Sequence, residues 1–155
     1  MGGGDSPIDW TAMPILPDNP SQADLGAFQY WLVCMSCHGE RGQGLTDEWR
    51  AQWGEEEQNC WQSKCHASNH PMDGFVFPKY APPVISIVSL LRFSNARELY
   101  DYLSTQMPWW APGSLTDEVY WQITAFLLRE NGVSFDIVLG ESNAETVLIP
   151  NNSSP

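Results

Sequence analysis

The sequence has few basic residues and no long apolar run. Seven Lys and Arg stand against 19 Asp and Glu, which gives a formal net charge of -12 at pH 7. Because nucleic acids are bound largely through cationic side chains, this balance argues against a nucleic-acid partner. No run of about 18 apolar residues occurs, so no membrane-spanning helix is predicted. The 155 residues suffice for one domain with a core of its own.

Cysteine and histidine are also scarce, with four and three residues, so their spacing is informative. Cys34-Met35-Ser36-Cys37-His38 is a C-x-x-C-H pattern. Two thiols three positions apart can each add to one vinyl group of a haem, and the adjacent imidazole then reaches the iron. A thioredoxin-like pair usually follows a strand, whereas this one ends a helical stretch, and a zinc site needs a second pair with matching spacing. The pattern therefore predicts covalent haem attachment through Cys34 and Cys37, with His38 as an axial ligand.

Apolar spacing and capping residues predict an all-α domain over residues 21–132. Ser21, Thr46, Ser94 and Thr116 are candidate residues for helix starts, and Gly132 suits a left-handed helix end. Helices are therefore expected over about residues 22–33, 46–52, 95–104 and 116–131. Two irregular segments flank the domain, an extended arm over residues 1–20 and an extended or partly disordered tail over residues 133–155.

Several features of the domain resemble those of the class I c-type cytochromes. The first helix of that family carries a glycine, an aromatic residue and the first cysteine at intervals of four, matched here by Gly26, Tyr30 and Cys34. The family's glycine-rich turn is matched by residues 39–44. The aromatic residues of the family's last helix have counterparts in Trp121 and Phe126. The resemblance implies that the N- and C-terminal helices cross over a haem pocket and that the protein transfers electrons.

The sixth position of an electron-transfer haem iron is usually filled by Met or His. Residues 107–115 contain Met-Pro followed by Pro-Gly just before the last helix, which is similar to the sixth-ligand loop of the family. The resemblance implies that Met107 is the second axial ligand, and Met72 and His70 are the reserve candidates. A thioether ligand implies a positive reduction potential, because it stabilises ferrous iron better than a second imidazole does.

One large departure from the family is an insert over about residues 45–80. It contains a C-x4-C-H pattern formed by Cys60, Cys65 and His66, a rarer attachment spacing that is known from some multihaem cytochromes. The cysteines can form a disulfide that staples the loop, attach a second haem with His66 as ligand, or join His66 and His70 in a metal site. We expect one haem plus the disulfide, with the second haem as the alternative.

These features predict an electron carrier without a catalytic acid or base, and hence not an enzyme. The alternative is a dihaem cytochrome, either peroxidase-like or a subunit of a respiratory or photosynthetic complex. The acidic surface favours redox partner proteins with a basic docking face.

Covalent haem attachment normally takes place outside the cytoplasm, so a periplasmic or other extracytoplasmic location is expected. The first five residues lack the charged start and apolar stretch of a signal peptide. We therefore expect a targeting segment ahead of this sequence, and the glycine run resembles the stem that follows a bacterial lipid-anchor cysteine.

Overall fold

The structure is a computed structural model that describes residues 12–150. Residues 1–11 of the expected arm and residues 151–155 of the expected tail lie outside the described residues. The helices are α1 (Gln22–Val33), α2 (Met35–His38), α3 (Asp47–Arg50), α4 (Ala96–Gln106) and α5 (Asp117–Glu130), with 3₁₀ turns at Glu55–Glu57 and Ala144–Thr146. Within residues 12–150 there is an isolated bridge but no strand, so the predicted all-α class is confirmed.

Side-chain caps set the start of each long helix. Ser21 forms a capping box with Asp24, in which the Asp24 N–H donates to Ser21 Oγ and the Ser21 N–H donates to the Asp24 carboxylate. Thr116 caps α5 as predicted. The predicted cap of α4 is one residue off, because the Asn95 side chain accepts from the Glu98 N–H at 3.0 Å and takes that place.

The main helix contact is the crossing of α1 and α5. It occurs at Gly26, where a Cβ atom would overlap the backbone carbonyl of Gln122 and lie 2.7 Å from the Cβ of Phe126. Glycine therefore allows a backbone approach that a side chain would prevent. One turn further along α1, Tyr30 packs on Phe126 with ring centroids 5.1 Å apart.

The other aromatic residue of the last helix, Trp121, contacts α4. Trp121 stacks on Tyr100 with ring centroids 3.6 Å apart and planes 9° from parallel. Trp121 also lines a pocket together with Gln22 and Leu25 of α1.

Residues 133–150 differ from the expected tail. After α5, Gly132 adopts φ +80° and its N–H bonds the Arg129 carbonyl, while the Val133 N–H bonds the Leu128 carbonyl, which is a Schellman ending. The chain then returns to the start of α4, where the Ala96 N–H donates to the carbonyl of Val147 at 2.9 Å. The segment buries apolar side chains that the sequence pattern left unassigned: Val133, Leu139, Ala144, Val147 and Ile149.

Of the helices in residues 12–150, none is both long and apolar enough to cross a membrane.

The close approach at Gly26 predicts that Gly26→Ala lowers the free energy of unfolding by roughly 2–3 kcal/mol, because the new methyl group must push the two helices apart. Gly140→Ala is the matched control, since a Cβ there meets no atom within 4 Å. Urea unfolding of both variants measures the difference, and equal stabilities would contradict the packing described here.

Candidate functional site

The C-x-x-C-H pattern lies at the junction of α1 and α2. Cys34 is the C-cap of α1, and Cys37 and His38 close the single turn of α2, where the His38 N–H donates to the Cys34 carbonyl at 2.9 Å. All three side chains line one cavity of about 200 Å³. An adjoining cavity of about 430 Å³ shares His38 and Met107 with it. Apolar and aromatic side chains form most of the walls, among them Leu103, Leu115, Ile123 and Leu127.

The ring of His38 is held by a backbone carbonyl. Its Nδ1 lies 2.8 Å from the oxygen of Pro82. A carbonyl can only accept, so Nδ1 carries the proton and Nε2 keeps its lone pair for a metal. Burial lowers the pKa of His38 and thus favours the neutral imidazole, although the bond to Pro82 acts in the opposite direction.

The glycine-rich turn brings Pro82 to His38. The N–H groups of Val84 and Ile85 both donate to the Gly42 carbonyl, and the Leu45 N–H donates to the Ala81 carbonyl. Gly44 has φ +87°, and a Cβ on it would lie 2.7 Å from the Ala81 oxygen. The turn therefore packs directly on residues 81–85, which we call the strap.

The two thiols are protonated at neutral pH. Burial, with a smaller contribution from Cys37, raises the pKa of Cys34 to about 12. Burial also raises the pKa of Cys37 to about 11. Reactive redox cysteines have lowered pKa values. The raised pKa values disfavour the thioredoxin-like alternative and are compatible with thiols that form carbon–sulfur bonds.

Two aromatic side chains fix this loop: Tyr30, which the family resemblance named, and Trp49, which sequence reasoning did not single out. The buried Tyr30 hydroxyl donates to the Gly39 carbonyl at 2.7 Å, and desolvation raises the pKa of Tyr30, which keeps the donor protonated. Trp49 of α3 is fully buried, and its indole N–H donates to the Ser36 carbonyl at 3.1 Å. The abundance of tryptophan was the only signal in the sequence for the contact between Trp49 and the Ser36 carbonyl.

Met107 follows α4 and lines both cavities. Its carbonyl accepts from the Tyr120 hydroxyl at 2.7 Å and from the Gly113 N–H at 3.3 Å. The same hydroxyl accepts from the Leu115 N–H at 3.4 Å. The loop over residues 107–115 is thus held to α5 from within the fold, and sequence reasoning missed the part that Tyr120 plays in this.

The structure places the other candidate ligands away from the cavity. Met35 is buried in the helical core, and Met13 and Met72 are exposed. His70 has its Nδ1 2.6 Å from the Pro71 carbonyl and lines neither part of the cavity. Of the candidates within residues 12–150, the structure therefore brings together Cys34, Cys37, His38 and Met107.

The insert packs beside this cavity. Cys60, Cys65 and His66 line a separate cavity of about 560 Å³. The two cysteines are free thiols in this structure, so the disulfide is not shown and stays a prediction. Within residues 12–150, no three side chains of His, Cys, Asp or Glu gather as metal ligands, so the metal site with His70 is not supported.

The side chains around the first cavity fit a haem c. Two adjacent thiols can form thioether bonds, His38 has a free Nε2, and Met107 supplies a thioether sulfur. The lining is apolar, and the combined space lies in the range of pockets for cofactors and other small molecules.

The contacts of Tyr120 predict that Tyr120→Phe destabilises the fold by about 1 kcal/mol, because the Leu115 N–H loses its acceptor and the Met107 carbonyl loses one of two donors. Tyr100→Phe is the control, since its hydroxyl bonds the exposed Asp117. Chemical unfolding should separate the two variants, and a loss of the same size in both would argue against a role for Tyr120 in holding the Met107 loop.

Comparisons with known proteins are sparse. No protein-family model matches the chain, and no curated protein matches it. Among solved structures it is similar to a chain in the crystal structure of the sulfane dehydrogenase SoxCD from Paracoccus pantotrophus, with 25% sequence identity and a TM-score of 0.48. The similarity covers 97% of this chain and 68% of that chain. A TM-score below 0.5 does not establish a common fold, so nothing about this chain is inferred from that enzyme.

Proposed function

We propose that this protein is an electron carrier of the class I c-type cytochrome kind. Cys34 and Cys37 attach one haem c, and His38 and Met107 are the axial ligands. The observation that carries the proposal is the convergence of these four side chains on one apolar cavity, although Met107 is far from the other three in sequence.

The two thiols are the groups of this chain that form the covalent bonds to haem. Each S–H adds across one vinyl group, so that a carbon–sulfur bond forms, the proton goes to the other vinyl carbon, and no net electron is exchanged. Nδ1–H of His38 donates a hydrogen bond to the Pro82 carbonyl of the strap, which leaves Nε2 for the iron.

When bound, the haem accepts and releases one electron. The protein's own part is to keep the ligands in place and to keep water out. The Met107 sulfur favours the ferrous state, and the apolar walls disfavour the extra charge of the ferric state, so a positive potential follows. The crossing of α1 and α5 at Gly26 supports the proposed family fold, in which the N- and C-terminal helices cross over the haem pocket. We propose a carrier rather than an enzyme, because this chemistry needs no acid or base.

The partner and the location follow from charge and chemistry. A net charge of -12 suits redox proteins that dock through a basic face, and it disfavours nucleic acid. Since the attachment machinery works outside the cytoplasm, we propose a periplasmic or other extracytoplasmic site of action, with the protein free or tethered by a lipid anchor.

Covalent attachment is tested by expressing the chain together with a cytochrome c maturation system. We expect the haem absorbance to stay with the protein in acid–acetone. After trypsin it should stay with residues 1–41, which hold both cysteines and end at the first basic residue. Cys34→Ala with Cys37→Ala should remove the haem from this peptide. Haem extracted into the solvent, or its absence from residues 1–41, would refute the proposal.

The ligand role of Met107 predicts that Met107→Ala abolishes the weak long-wavelength absorption band that reports iron–thioether coordination. It should also lower the reduction potential. Met72→Ala is the matched control, because Met72 is fully exposed and lines neither part of the cavity. Optical titration of both variants measures band and potential together. A band that survives in Met107→Ala and disappears in Met72→Ala would move the ligand to the insert.

A further inference from the structure

The second cysteine pair has no part in the proposed carrier site, yet it lines a cavity of its own. This cavity, of about 560 Å³, lies in the range of cofactor-sized pockets. Aromatic side chains of the insert and of the Met107 loop form its apolar walls: Trp53, Phe75, Phe77 and Trp110. Its exposed lining residues include Glu56, Glu57 and Asp73, which make its rim acidic.

The backbone of the C-x4-C-H segment closes in the same way as that of the first motif. In the first motif, the His38 N–H donates to the carbonyl of Cys34 at 2.9 Å. In the insert, the His66 N–H donates to the carbonyl of Cys60 at 3.2 Å. Each histidine is therefore bonded back to the first cysteine of its own pair, although the second pair has two more intervening residues.

A tight turn takes up the two extra residues. Lys64 adopts φ +68°, a left-handed conformation that is uncommon for a residue with a side chain. Asn69 holds the turn from outside the motif, since its Oδ1 accepts from the Lys64 N–H at 2.9 Å and its Nδ2 donates to Ser63 at 2.8 Å. The chain thus stabilises a specific conformation between the two cysteines.

The two histidine rings are also oriented alike. His66 has its Nδ1 3.2 Å from the carbonyl oxygen of Phe75, as His38 has with Pro82. The carbonyl again requires the proton on Nδ1, which leaves Nε2 of His66 able to bind a metal. The ring packs against both Phe75 and Phe77, with centroids 4.5 and 5.5 Å away.

We propose that Cys60 and Cys65 attach a second haem c, with His66 as an axial ligand of its iron. Each thiol adds its S–H across one vinyl group. A carbon–sulfur bond forms, the vinyl double bond becomes single, its other carbon takes the proton, and no net electron is exchanged. Both cysteines must enter as thiols, so this attachment and the disulfide exclude each other. The proposal deepens the electron-transfer function above and rests on it.

Other features of the insert suit a haem better than a disulfide. A disulfide would involve only the two sulfur atoms. It would account neither for the orientation of His66 nor for the cavity beside it. Arg50 also lines this cavity, and haem carries two carboxylates of the kind that guanidinium groups bind.

The two sites share a wall, and this gives the second haem a role. Cys37 and Trp110 line both the first cavity and the insert cavity. The two cofactors would then lie on either side of a single layer of side chains. An electron that enters one site can pass to the other inside the same chain, which makes the protein a two-centre relay.

The intact mass of the full chain decides between the alternatives. The protein is co-expressed with a cytochrome c maturation system, reduced with a thiol reagent and alkylated. We expect two haems per chain and no alkylated cysteine. One haem with two alkylated cysteines overturns the proposal, and if alkylation then requires prior reduction, the pair was a disulfide.

Variants assign each haem to its motif. Cys60→Ala with Cys65→Ala should lower the count from two to one, and so should Cys34→Ala with Cys37→Ala. If the protein carries one haem and keeps it in the variant with Cys60→Ala and Cys65→Ala, the second site is wrong and the carrier site stands. If the protein carries one haem, loses it in the Cys60→Ala, Cys65→Ala variant and keeps it in the Cys34→Ala, Cys37→Ala variant, the carrier site is wrong instead. If a variant does not fold, tryptic mapping of the wild-type protein decides. Trypsin separates residues 51–64 from residues 65–79 at Lys64, and a haem bound to Cys60 and Cys65 should hold these two peptides together.

The axial role of His66 has its own readout. In the chain with Cys34→Ala and Cys37→Ala, which should carry only the second haem, His66→Ala should shift the main haem absorption band. An unchanged spectrum would overturn the ligand assignment.

Discussion

The backbone contact between Gly26 and the carbonyl of Gln122 determines where both ends of the candidate site lie. It fixes α1 on α5, so that the C-cap of α1, which is Cys34, falls at the edge of the cavity. The other helix of the crossing contributes cavity walls through Ile123 and Leu127. It also carries Tyr120, whose hydroxyl holds the Met107 loop. A single helix crossing thus positions the thiols and the thioether, which are about seventy residues apart in sequence.

The orientation of the His38 imidazole is set by loops and not by the helix crossing. The glycine turn packs against the strap because Gly42 and Gly44 have no side chains to separate the two backbones. The strap thereby presents the Pro82 carbonyl to Nδ1 of His38. Each of these bonds is worth about 1 kcal/mol. Their effect on function is larger than their effect on stability, because the Pro82 bond decides which ring nitrogen is left for a metal.

Sequence alone predicted the parts of this structure that depend on local rules. Ser21, Thr116 and Gly132 mark helix ends through their own side chains or through a positive φ, and the C-x-x-C-H spacing marks the thiols and the imidazole. The sequence did not predict that the carbonyl of Pro82 would accept a hydrogen bond from His38. Every residue has a backbone carbonyl, and nothing in the sequence marks the one that will be used. The packing of residues 133–150 was not predicted because their apolar residues follow neither a helical nor a strand period. Such residues are buried only where the fold places another helix beside them.

The insert has little regular secondary structure, and both its own hydrogen bonds and contacts with its neighbours hold it. Its regular elements are the single turn of α3 and one 3₁₀ turn. The insert contacts the Met107 loop through the Trp109 indole N–H, which donates to the Val76 carbonyl at 3.3 Å, and through Phe75, which packs on Trp110 with centroids 5.8 Å apart. Both tryptophans belong to the loop that Tyr120 anchors from α5. The Met107 loop therefore bounds the insert cavity as well as the first cavity, and Trp110 lines both.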